Sequence, residues 1–154
     1  MEPRKEMIIN EELKTAIKMM AEDNNSKSQN DMIDILMKSK LLIPVKISPA
    51  AKRDDQGNYM LSPKHKITFA TVKNYQDTKN PDWSYFIGFT DSEELKAWAG
   101  GKKIDAFLAD FNDYAVMLLK PDAVCKGFVL NPAGGNVCFP TDVVKQIIKR
   151  RDVK

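Results

Sequence analysis

The sequence predicts a single α+β domain, built on a mixed or mainly antiparallel sheet of about five to six strands flanked by helices. Three observations carry this expectation. Apolar residues recur at helical spacing through the first 40 residues, which predicts two N-terminal helices. Short β-branched and aromatic runs separated by polar turn segments follow. Strands and helices then succeed one another to the end. A chain of 154 residues, 43% of them hydrophobic, can bury a core without disulfides or metals to staple it. A charged fraction of 29% is that of a soluble globular protein.

Taken in order, Asn10 is placed to cap a first helix, with Glu11 and Glu12 where negative charge suits the helix dipole. Leu13, Ala16, Ile17, Met20 and Ala21 form its apolar face. The polar cluster Asp23–Ser28 breaks the pattern, and a second helix is expected from Gln29 to Lys40 with Met32, Ile33, Leu36 and Met37 as its stripe. The recurrent methionines read as core filler rather than as a promiscuous groove. Leu41–Ile47 reads as a strand in which Pro44 cannot donate to a ladder. It is therefore an edge strand, or Pro44 sits where its missing N–H is unneeded.

After a long polar connection, Ile67–Val72 and Trp83–Phe89 read as strands. In the second, Trp83, Tyr85, Ile87 and Phe89 share one face, and core packing explains them better than base stacking. Thr90 and Glu93 have the spacing of a capping box for a helix carrying Leu95, Trp98 and Ala99, which Gly100-Gly101 ends. Lys103–Ala109 is a further strand, and Asn112 is placed to cap a short helix with Tyr114, Ala115, Met117 and Leu118. Ala123–Leu130 and Asn136–Phe139 form a hairpin whose turn, centred on Ala133-Gly134, pairs Val129 with Cys138. Thr141 caps a final helix with Val143, Val144, Ile147 and Ile148 facing the sheet. One domain spans 1–154: a helical lead-in over 1–40, a core over 41–148 and a basic tail over 149–154.

Several function classes lose ground. No apolar run reaches the ~20 residues of a membrane-spanning helix, and residues 1–14 carry no signal-peptide apolar region, so a cytoplasmic protein without membrane insertion is expected. Cys125 and Cys138 belong to no CxxC pair and lie too far apart on the hairpin for a disulfide, which predicts two free thiols. The lone histidine, His65, stands between two lysines and reads as a surface residue. Asp54-Asp55-Gln56-Gly57-Asn58 lacks the alternating ligands of a calcium loop and reads as a solvated turn. No phosphate-binding glycine loop or metal cluster is visible, so neither a cofactor nor a catalytic set is expected. The charge of +3 concentrates in the C-terminal tail through Lys145, Lys149, Arg150, Arg151 and Lys154. Nucleic-acid binding across the fold is therefore not expected, and weak binding of nucleic acid or an anionic surface through the tail is the alternative.

The segment Phe89-Thr90-Asp91-Ser92-Glu93-Glu94-Leu95 with Trp98, the later Gly127-Phe128-Val129-Leu130-Asn131-Pro132, and the opening Leu42-Ile43-Pro44-Val45 occur in the order found in the SseB N-terminal domain family. The chain resembles that family from about Leu41 to Ile148, with Asp113-Tyr114-Ala115 lying between the two later motifs. The resemblance implies a bacterial α+β domain and brings no catalytic residues with it. A binding or accessory module with a protein partner is the favoured reading, with an enzyme of unknown reaction as the alternative. The candidate binding loop is Asn131, Gly134, Gly135 and Asn136, all tolerant of positive φ, together with Thr90 at the start of the neighbouring helix.

Overall fold

The protein is described from a computed structural model covering residues 10–73, 79 and 82–152. The charged start over residues 1–9 and the last two residues of the basic tail lie outside the described residues. The element order is α1 (Glu11–Glu22), α2 (Ser26–Leu36), β1 (Leu41–Ser48), β2 (Lys66–Phe69), β3 (Thr71–Lys73), β4 (Ser84–Gly88), α3 (Ser92–Ala99), β5 (Asp105–Ala109), α4 (Phe111–Leu118), β6 (Gly127–Leu130), β7 (Val137–Pro140) and α5 (Thr141–Asp152). The class is α+β with two N-terminal helices. Its strands form a three-stranded sheet, β2-β1-β5, and a four-stranded sheet, β3-β4-β6-β7. Every pairing is antiparallel except that of β4 with β6.

The two sheets meet where Leu42 and Phe89 exchange a pair of backbone hydrogen bonds, each 2.9 Å. Beyond that bridge the strands part, and β2 follows β1 while β3 follows β4. Since β2 opposes β1, β3 opposes β4, and β1 opposes β4, the chain must turn at Ala70. Its N–H is held by the Pro44 carbonyl at 3.1 Å. This geometry corrects the edge-strand expectation for Pro44, because β1 is the central strand of its sheet. The second possibility holds instead. The backbone of Leu42 and Pro44 faces the seam, so the nitrogen without a hydrogen points into the gap where β4 has parted from β1 and pairing with β2 has not begun.

β1 is buried on both faces, which explains its unbroken apolar run. Leu41, Ile43, Val45 and Ile47 face the main core with residues of α1, α2, α4 and α5. Leu42, with Ala106, Leu108, Ile87 and Phe89, faces a smaller core that Leu95 and Trp98 of α3 cover. An aromatic column runs through the main core: Tyr114 stacks on Phe128 at 4.5 Å and Phe128 on Phe139 at 4.8 Å between ring centroids. Such a pair contributes about 1 kcal/mol beyond the area it buries. The fully buried Tyr114 hydroxyl donates to the Ile87 carbonyl at 2.8 Å, and burial drives its pKa well up, so it stays a donor.

Five helix starts differ in detail from expectation, the first four because side chains bind backbone groups other than the expected ones. α2 begins at Ser26 inside the polar cluster, because Asn25 and Ser28 form a reciprocal capping box there. α4 is capped by Asp110 and Asp113 rather than by Asn112. Asn10 precedes α1 but makes no side-chain cap, and Asp91 rather than Thr90 caps α3. Thr141 is the first residue of α5 rather than the one before it. At the other end α5 continues past Ile148, and Arg150 reaches back to Asn30 at 2.7 Å and Asp34 at 3.2 Å. The start of the basic tail is thus a helical turn tied to α2.

Gly127 explains the first position of the Gly-Phe-Val-Leu-Asn-Pro segment. At φ 155° a Cβ there would strike the Phe139 carbonyl and come within 2.8 Å of the Pro140 Cα, both backbone atoms that cannot swing aside. Gly127→Ala should therefore destabilise the fold by about 2 kcal/mol or more. Urea unfolding with an unchanged m-value is the measurement.

Candidate functional site

The loop between β6 and β7 starts and ends on asparagines in left-handed conformation, Asn131 at φ 53° and Asn136 at φ 51°. Asparagine tolerates this region better than other residues with a Cβ. The Asn131 carbonyl accepts from the Gly134 N–H at 2.9 Å and the Asn136 N–H at 2.8 Å, which closes the loop on itself. Gly134 and Gly135 serve a different purpose from the expected one. They are not at positive φ; instead they permit close approach. A Cβ on Gly134 would lie 2.6 Å from a Glu94 carboxylate oxygen, and one on Gly135 would lie 2.8 Å from Ile17 Cγ2. The loop is pressed between α3 and α1.

Beneath it lies a buried polar network. Asn131 is 3% exposed and Thr90 is fully buried. The Thr90 N–H donates to Asn131 Oδ1 at 3.0 Å, and Asn131 Nδ2 donates back to the Thr90 hydroxyl at 3.1 Å. That hydroxyl points onward to Asp91 Oδ2 at 3.4 Å. Asp91 Oδ1 caps α3 by accepting the Glu94 N–H at 2.9 Å, and Lys14 of α1 reaches Asp91 Oδ2 at 3.0 Å. From the other side Asn10 Nδ2 donates to the carbonyls of Thr90 at 2.6 Å and Lys40 at 2.7 Å. The hydrogen bond to Asp91 raises the Lys14 pKa above its usual value, partly offset by desolvation.

The five residues chosen from sequence are thus brought together, but not as equals. Thr90 and Asn131 are interior anchors whose polar atoms are satisfied. Thr90 does not cap α3, because its hydroxyl serves Asn131 and Asp91 takes the capping position one residue on. Ala133, Gly134 and Gly135 form the exposed tip. Beside the tip a cavity of about 410 Å³ is lined by Lys14, Ile17, Lys18, Glu94, Asn131 and Gly135, among others.

Elsewhere, His65 is half-buried, and its Nδ1 accepts the Ser62 N–H at 3.0 Å with the Ser62 hydroxyl 3.1 Å away. A backbone donor occupies the nitrogen that a Ser–His pair would need, so a local turn accounts for the contact. Asp54 accepts the N–H groups of Gln56 and Asn58, each at 2.9 Å, as a solvated turn does. These bonds, led by that from Asn58, hold its carboxyl below the usual range. Val129 pairs with Cys138 as expected, and neither cysteine is in a disulfide. Burial pushes the Cys125 thiol up. One cluster escaped the sequence reading. Arg53 donates to Asp105 at 2.9 Å and to the Tyr59 hydroxyl at 3.0 Å, and Tyr59 also donates to Asp105 at 3.1 Å. Arg53 and Tyr59 are neighbours in sequence, but Asp105 lies 46 residues beyond Tyr59, and no local spacing signals it. Among the described residues no group of three or more His, Cys, Asp or Glu is placed to hold a metal, and no helix is long and apolar enough to cross a membrane.

A family model for the SseB protein N-terminal domain matches residues 13–146. The match begins within α1, so most of α1 and all of α2 fall inside it, a wider extent than the motifs alone carry. The comparison with curated proteins returns no match, and neither does that with solved structures.

Asn131→Ala should strip the Thr90 N–H of its partner and force alanine into left-handed backbone. Together these cost about 3 kcal/mol. Asn131→Gly relieves the backbone part and should lose about 1 kcal/mol less, a difference that paired urea titrations resolve. For Lys14 the sign follows from its raised pKa. The stability it adds is fully present below the ordinary lysine value of 10.5 and is lost as pH rises through the higher folded value. The stability gap between the wild type and Lys14→Met should therefore close in strongly alkaline buffer, measured by chemical unfolding across pH.

Proposed function

The chain belongs to the SseB N-terminal domain family, and on that premise we propose that it is a non-catalytic accessory module that binds a protein partner in the bacterial cytoplasm. The observation supporting this reading is the combination at the β6–β7 loop. An exposed three-residue tip is fixed from below by a saturated buried network and borders a cavity of about 410 Å³ with an apolar wall and charged rim. A surface held in one shape before contact loses little conformational entropy on binding, which favours affinity. The rim, Lys14, Lys18 and Glu94, offers both signs of charge, as a polar protein segment would require.

Ala133→Arg places a long charged side chain at the exposed tip without touching the anchors. Affinity capture from the native cell, followed by titration of the purified captured protein, should give binding to the wild type that the variant weakens at least tenfold. The two proteins should unfold at the same temperature. Equal binding by both would reject this surface. Turnover of a metabolite in a broad activity screen, with no protein captured, would replace the reading with an enzyme.

A further inference from the structure

We propose that the outer groove between α1 and α2 is a second docking site, and that its occupant is a basic amphipathic helix of a partner protein. The groove is distinct from the β6–β7 loop, so the inference does not depend on that surface. α1 turns Leu13, Ala16 and Ile17 inward, yet Met19 on its other side is 58% exposed. Met19, Ala16 and the half-buried Ile35 of α2 line a cavity of about 550 Å³ between the helices. An exposed methionine in a groove of this size suits an apolar side chain of varied shape, because its thioether adapts to what meets it.

The charge around this apolar strip identifies the occupant. Glu11, Glu12, Asp23 and Asp31 border the groove against a single cation, Lys27. A local balance of −3 thus sits on a chain whose net charge is +3. Among the described residues none of the four carboxylates is held in a salt bridge. Glu11 and Glu12 suit the first turn of α1, but helix chemistry does not account for the others. Asp23 is at the C-terminal end of α1, where negative charge opposes the dipole, and Asp31 is in the middle of α2.

Two packed helices offer a third helix a seat by ridges-into-grooves packing, and helix-in-groove recognition uses apolar anchors at i, i+3, i+4 and i+7. The 12 residues of α1 span about 18 Å, which matches three turns of such a partner. Lysines flanking the partner's apolar stripe would then face the carboxylates.

The test uses the full chain and two labelled helical peptides of about 18 residues. Both have leucines at i, i+3, i+4 and i+7, and the remaining positions are lysine in one and glutamate in the other. Fluorescence anisotropy should show the lysine peptide binding and the glutamate peptide not, with affinity falling as salt rises. Met19→Asp should weaken binding about tenfold or more, since it removes an apolar contact and desolvates a charge. Asp23→Asn with Asp31→Asn should weaken it several-fold and flatten the salt dependence. Val124→Asp, at a remote position that is 80% exposed, should leave it unchanged. Equal binding of the glutamate peptide, indifference to Met19→Asp, or an equal loss in Val124→Asp would each overturn the proposal. So would a dimer in sedimentation that Met19→Asp dissolves, since the occupant would then be a second copy of this chain.

Discussion

Thr90 and Asn131 each donate one hydrogen bond to the other, and the placement of everything around them depends on that exchange. Thr90 ends the run from β4 into α3, and Asn131 ends β6, the parallel neighbour of β4. Thr90 is fully buried and Asn131 is 3% exposed. A buried amide or hydroxyl left without its partner costs about 1–3 kcal/mol, so the two chain segments cannot slide past one another without breaking both bonds. From this fixed point Asn10 sets the entry of α1 and Lys14 ties α1 to the cap of α3. The β6–β7 loop closes on the Asn131 carbonyl. Polar interiors of this kind specify one arrangement where an apolar core alone would tolerate several.

The fold class, the helices and most strands were legible because hydrophobic periodicity is local. β1 read as a strand, α3 ended at Gly100 as its glycines suggested, and Val129 opposed Cys138. What escaped were choices among competing neighbours. Asp91 and Thr90 are both good caps, and only the presence of Asn131, 41 residues on, removes Thr90 from that competition. Asn10 has the right type and position for a cap, but carbonyls at Lys40 and Thr90 claim its amide. Pro44 in a central strand is acceptable only because two neighbouring strands fail to meet beside it. No window around Leu42-Ile43-Pro44-Val45 contains that information.

The candidate loop shows the same division. Residue type singled out Asn131, Gly134, Gly135, Asn136 and Thr90, and the structure gathers all five. Their physical roles were hidden. The glycines answer to the side chains of Ile17 and Glu94, and the asparagines to left-handed backbone. The motifs that carry the family resemblance contain Thr90, Asn131 and Gly127, and in the structure these residues anchor or shape the framework. The surfaces we propose for partner binding lie instead on exposed neighbours such as Ala133 and Met19.

The clasp of Arg150 onto Asn30 and Asp34 bears on how the chain acquires its shape during synthesis. Leu13 and Leu36 share one core with Val144 and Ile147, which are made more than 100 residues later. β4 must also wait for β6 across some 40 residues before its parallel edge is filled. A ribosome delivering this protein therefore exposes an amphipathic helical hairpin long before its covering arrives. Contacts of such long sequence separation slow folding and prolong that exposure.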